Sequence, residues 1–209
     1  MLLIENPNAG FTGIAIAGII YVAIALGMLH FLRRDLSVIS SPISEYAIGR
    51  HGRLMTSVLW VWAIASVALV CALLQRLPFS TYLIVASILL VIFATGLIIA
   101  AVFRMDVPFP PERMHPSAFS HCGLIHISSA SVATMCFPVA AVLLSWAIRD
   151  HNPQFGHATL VVAMSSVTIT SGFFAISLAS IRYFGIAQRS LVCTDLLWLF
   201  IVAIVLLLT

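Results

Sequence analysis

The sequence predicts an all-α polytopic membrane protein, six transmembrane helices with a short interfacial helix after the first. Composition is the first reason. The chain is 62% hydrophobic and 8% charged, with a mean hydropathy of +1.13, whereas a soluble domain carries roughly a quarter charged residues. The second is length: six apolar segments can each cross a bilayer of ~30 Å at ~1.5 Å per residue. The third is continuity. The segments are unbroken, not the short alternating runs of a barrel, and backbone groups in lipid must be satisfied within a helix.

The segments run near 11–32, 54–75, 81–103, 120–148, 158–181 and 191–209, within a single domain of residues 1–209. The first follows Glu5, with no arginine before it, so it does not read as a cleavable signal. The link between the second and third, Arg76–Ser80, is short enough to force a tight hairpin. The fourth contains Pro138, which frees the carbonyl of Thr134 and predicts a kink. Before it stand Ser128, Ser129, Ser131 and Thr134, small polar residues suited to close helix packing. The four cysteines, Cys71, Cys122, Cys136 and Cys193, form no CxxC pair and read as small buried hydrophobes.

Six spans place both termini on one side. The ten basic residues are all arginine, and eight lie in connections one, three and five: Arg33, Arg34, Arg50, Arg53, Arg104, Arg113, Arg182 and Arg189. Only Arg76 and Arg149 lie at the other end. The positive-inside rule makes the arginine-rich end cytoplasmic and both termini non-cytoplasmic, in what reads as a prokaryotic inner membrane. The net charge of +3 is scattered over short loops, which excludes a nucleic-acid-binding stripe.

Most other ionisable residues gather at the same end. They are His30, Asp35, Glu45, His51, Asp106, Glu112, His115, His121 and His126, with Asp195 about one turn into the sixth span. Charge within spans is costly and faces a bundle interior or watery cavity, so a polar pocket is expected there. In SSPISEYAIGRHG, Ser41 before Pro42 reads as N-cap and first helical residue. Glu45 then sits in the first turn, Gly49 and Gly52 end the helix, and Tyr46 lies at headgroup level. Glu45, Asp106 and His126 are the candidate catalytic groups. Arg33, Arg34 and Arg104 are candidates to hold an anionic headgroup, and Ser44, His121 and Asp195 complete the ligand-binding set.

Two stretches carry a family resemblance. LRRDLSVISSPISEYAIGRHGRLM follows the first span, and FRMDVPFPPERMHPSAFSHCGLIHISSA joins the third to the fourth. Together they resemble the prokaryotic six-span family catalogued as domain of unknown function 998. Its Ser-Glu-Tyr/Leu-Ala/Gly run matches Ser44, Glu45, Tyr46 and Ala47. Its Phe-x-x-Asp matches Phe103 and Asp106, and its histidine entering span four matches His121 or His126. The resemblance covers spans one to four and implies a fold without an activity. A weaker similarity, at Ile43-Ser44-Glu45, is to the FRAG/DRAM/Sfk group, some members of which act in lipid remodelling.

Metal and haem chemistry are lesser readings. His121 and His126 are about 140° apart around a helix and share no face, and the sequence has no HExxH or CxxCH. A bis-histidine haem would have to use His30 and His126. No cofactor is identified. The leading reading is a protein that binds a lipid or other amphiphile at its polar end, with modification of that ligand a further step. The alternative is a non-catalytic accessory subunit of a larger membrane complex. Membrane lipids are the expected partners, other membrane subunits the alternative ones, and nucleic acid is not expected.

Overall fold

The computed structural model describes residues 9–105, 119–179 and 181–208. Six helices carry the fold: α1 Ala9–Leu32, α2 Gly52–Arg76, α3 Thr81–Val102, α4 His121–His151, α5 Pro153–Ala179 and α6 Phe184–Leu208. Each is long and apolar enough to cross a membrane, and the chain is an integral membrane protein. Each helix packs on the next in sequence, and α6 closes the ring on α1 and α2. The bundle therefore has two ends, one bearing connections one, three and five, and the other bearing connections two and four.

Local chemistry explains the boundaries. The Ser80 hydroxyl accepts from the Leu83 amide (3.2 Å) and starts α3, and Ser120 does the same for α4 through Gly123 (3.0 Å). Helix α5 starts at Pro153, where the missing amide of a first helical residue costs nothing. Only Asn152 separates it from α4, and a Cβ on Gly156 would strike the backbone of Arg149. This turn is tighter than the loop expected between Ile148 and Ala158. Helix α6 starts at Phe184 and not Leu191, so Arg189 lies inside a helix.

With no hydrophobic drive between helices in lipid, close packing holds the bundle. Gly96 lets α3 approach α4, since a Cβ there would sit 2.8 Å from the Ser129 carbonyl oxygen and 2.9 Å from the Ala133 Cβ. Across the middle runs an aromatic chain. Trp62 meets Phe93 edge-on (5.6 Å between centroids), Phe93 meets Phe137 (5.0 Å), and Phe137 meets Trp198 (5.7 Å). It links α2, α3, α4 and α6, with offset and edge geometries that add to packing. The Trp198 indole donates to the Ser145 hydroxyl (3.2 Å), so its buried N–H is satisfied.

The connection after α1 differs from the expected capped interfacial helix. Residues Ile43–Ala47 form a 3₁₀ helix whose N-cap is Pro42, with no side-chain cap. Ser41 lies one residue before the cap, and its carbonyl accepts from Arg189. Tyr46 is 1% exposed and faces the bundle rather than the surroundings. Gly49, at φ +85°, makes the left-handed turn into α2.

Candidate functional site

Arg189 fastens this connection to the bundle. It is buried, and its guanidinium donates to five neutral acceptors. Nε donates to His30 Nε2 (2.8 Å). One terminal nitrogen donates to the carbonyls of Val38 (3.0 Å), Ser41 (2.8 Å) and Gly185 (2.9 Å), and the other to the Tyr46 hydroxyl (2.9 Å). The planar fork suits this many-sided geometry in a way an ammonium does not. His30 Nδ1 donates to the Leu26 carbonyl (2.7 Å), so Nε2 is the acceptor and the ring is neutral. With both its nitrogens engaged, His30 is not free to be a haem ligand.

Neighbouring bonds reinforce the clasp. The Ile43 amide donates to Gln188 Oε1 (2.7 Å), and the Ile186 amide to the Ile39 carbonyl (3.0 Å). Gly185 is required here, since a Cβ would lie 2.6 Å from the Ser41 oxygen and 2.8 Å from the Arg189 guanidinium. On the other flank Arg33 donates to the carbonyls of Ile48 (2.6 Å) and Glu45 (3.4 Å) and pairs with Asp35 (2.8 Å). The hydrogen bond from Arg33 holds the Asp35 carboxyl below its ordinary range, and the same bond raises the Arg33 guanidinium. The pair's contribution is therefore in place at neutral pH. It is lost as pH falls below the ordinary carboxyl value of 3.8 and through the lowered one.

Beneath the clasp lies a cavity of about 80 Å³. By the same measure a water needs roughly 10–15 Å³, so there is room for several waters or a narrow chain. Ser44 lines it where the 3₁₀ helix covers the bundle, and Gln188, His126, Asp195 and Trp62 line it further in. Trp62 is ten residues into α2, about 15 Å by helical rise, near the middle of a ~30 Å bilayer. The other walls are apolar, among them Leu97, Phe173 and Leu191. A second lobe of about 90 Å³ shares Ser44, His126 and Gln188 and continues between α4 and α5 past Ser131 and Ser177. Those two serines are half-buried, so this lobe approaches the outer surface of the bundle.

The polar lining is held in place. His126 is buried, and its Nδ1 lies 2.9 Å and 3.1 Å from the carbonyls of Ala100 and Phe103 at the end of α3. That nitrogen therefore carries the proton, and Nε2 keeps its lone pair. Asp195 is 2% exposed, and its Oδ1 accepts from the Ser166 hydroxyl (2.7 Å). Trp62 is 5% exposed, and its indole nitrogen has no hydrogen-bond partner among the described residues.

Of the residues singled out from sequence, Ser44, His126 and Asp195 come together around this cavity. Glu45 is buried on the 3₁₀ helix, within the electrostatic reach of Arg33, but is not among the lining residues. Arg34 and His121 are exposed. Arg104 lines a separate crevice of about 430 Å³ with Ala47 and Gly49. Asp106, with Glu112 and His115, lies outside the described residues. Among the described residues no three histidine, cysteine or acidic side chains converge as a metal site would require.

Arg189, Gln188 and Trp62 were missed as site residues. Arg189 and Gln188 fall between the apolar runs ending near 181 and starting near 191, and Trp62 looks like any aromatic in an apolar span. The family described as protein of unknown function (DUF998) matches residues 15–205. No curated protein and no solved structure gave a match.

Breaking the clasp should free the first connection. Arg189→Lys keeps the charge but not the fork, and Gly185→Ala inserts a methyl into the same contact. Each is expected to destabilise the protein by about 1–3 kcal/mol and to speed amide exchange in residues 37–48, read by hydrogen–deuterium exchange. Unchanged exchange there in both variants would show that Arg189 does not hold the connection.

Proposed function

The chain belongs to the DUF998 family of six-helix membrane proteins, and from its cavity we propose an activity that the family's description leaves unstated. It binds a lipid or other amphiphile inside the bundle, with His126 as the candidate acid/base group for any modification of that ligand. The carrying observation is the cavity itself. Its walls are mostly apolar, polar side chains from the 3₁₀ helix, α4 and α6 line it, and one lobe runs between α4 and α5. Ligand pockets share this character, mostly apolar with a few placed polar groups. Intramembrane ionisable residues such as Asp195 point the same way.

The anionic-headgroup role expected for arginine moves to the rim. Arg33 is committed to Asp35 and to loop carbonyls. Arg104 lines the outer crevice, where a headgroup would lie above an inserted chain. Arg34 is exposed and suits lipid phosphate at the interface.

The arginine-rich end is proposed to face the cytoplasm of a prokaryotic inner membrane. Arg33 and Arg189 serve the protein's own fold, but six of the eight arginines at that end remain against two at the other. Reporter fusions at both termini should be active only outside the cytoplasm. Cytoplasmic activity at either terminus would reverse the orientation.

Native mass spectrometry of protein released from gently solubilised membranes tests binding. The wild type is expected to retain a small amphiphile. Ala130→Phe, which fills space in both lobes, is expected to lose it while remaining folded. A wild type that carries nothing, or an Ala130→Phe variant that carries the same ligand, would favour the accessory-subunit reading.

A further inference from the structure

We propose that His30 makes the clasp a proton-operated latch: a second proton on its ring displaces the Arg189 guanidinium and loosens the first connection from the bundle. The latch works on the cover of the cavity and is independent of what the cavity holds.

Four of the five acceptors in the clasp are fixed in that role. They are the carbonyls of Val38, Ser41 and Gly185 and the Tyr46 hydroxyl, and none of them takes a proton between about pH 5 and 8. The fifth is His30 Nε2, which meets the Arg189 Nε–H at 2.8 Å. Its Nδ1 is held at the Leu26 carbonyl (2.7 Å), so only a neutral ring can donate there and accept from Arg189. A protonated ring donates at both nitrogens. It sets one N–H against another and one cation against another, with Arg189 buried and His30 half-buried. The guanidinium is planar and moves as one piece, so a shift at Nε also spoils the geometry at both terminal nitrogens. Three of the acceptors on those nitrogens, Val38, Ser41 and Tyr46, belong to the first connection. The loosened connection binds the extra proton, so release is favoured as pH falls.

Among the described residues no carboxylate bonds to the His30 ring and offsets the second charge. Its aromatic neighbour is Tyr46, edge-on at 5.4 Å. Glu45, next to Tyr46 on the 3₁₀ helix, lies within the electrostatic reach of Arg33. Asp35 is exposed and paired with Arg33. His51 and Arg53, at the start of α2, make no bond to the ring. Asp195 follows Arg189 by six residues, about 9 Å of helical rise deeper, and is bonded to Ser166. Arg189 is therefore the charge that a proton on His30 meets. The bonds from Ile43 to Gln188 and from Ile186 to Ile39 do not titrate, so the connection loosens without the bundle unfolding. Ile43 and Ser44, which the latch holds down, line the cavity, as does Leu26 beneath His30. Release uncovers the cavity from the loop end.

The test is hydrogen–deuterium exchange on the full chain in nanodiscs of dioleoylphosphatidylcholine, whose head groups keep their charge over this range. Rates are corrected for intrinsic amide exchange at each pH. From about pH 8 to about pH 5, protection in residues 37–48 should fall about tenfold or more while α3 stays protected. His30→Gln offers an amide oxygen to Arg189 and takes no proton, so protection should stay high throughout. No fall in wild type, a fall shared equally by α3, or the same fall in His30→Gln would overturn the latch. If His30→Gln leaves the connection unprotected even at the alkaline end, His51→Gln and Glu45→Gln decide between His30 and the other titratable groups of that region. The wild-type fall kept in both upholds the latch, and its loss in either overturns it.

Discussion

A guanidinium buried in a membrane bundle needs a partner for every N–H it presents, and Arg189 finds them by pulling a loop into the fold. Its acceptors come from α1, from the first connection and from α6. Without it the carbonyls of Val38 and Ser41, the Tyr46 hydroxyl and His30 Nε2 would each lose a donor, and unmet buried groups are expensive where water does not reach. The geometry also explains Gly185, the only residue type that leaves room for the contact. Everything lying under the 3₁₀ helix, the cavity included, depends on this fastening.

The bundle divides its polar residues into two kinds of work. Arg33, Asp35, His30, Tyr46 and Arg189 bond mainly to one another and to backbone, and they hold the cover in place. His126 and Asp195 lie deeper and line a space that protein atoms do not fill. The aromatic chain from Trp62 to Trp198 links α2, α3, α4 and α6 beside the cavity. Its first two rings line the cavity, and its last is pinned to Ser145.

The sequence made the six helices legible because an apolar run of bilayer length has few other fates. The resemblance at Ser44–Ala47, Phe103 and Asp106 likewise named the family that the chain matches. The boundary of α6 was harder to read. Gly-Ile-Ala-Gln-Arg-Ser looks like loop because its polar side chains suggest solvent, yet Gln188 and Arg189 are satisfied by the first connection, far away in sequence. The same long-range bonds turned Tyr46 inward, where a tyrosine near a membrane surface usually faces headgroups. His121 and His126, about 140° apart, could not share a face, and the structure shows that His126 is the buried one. Trp62 was invisible from sequence, because what distinguishes it is an unmade hydrogen bond.

The central claim is that a loop clasped by Arg189 closes a membrane cavity occupied by an amphiphile. An experimental structure of the full chain in lipid nanodiscs tests it most directly. The account predicts residues 43–47 seated on the bundle through Arg189, with elongated density beneath them in the cavity lined by Ser44, His126 and Asp195. A cavity containing only ordered water, or a first connection detached from α6, would contradict it.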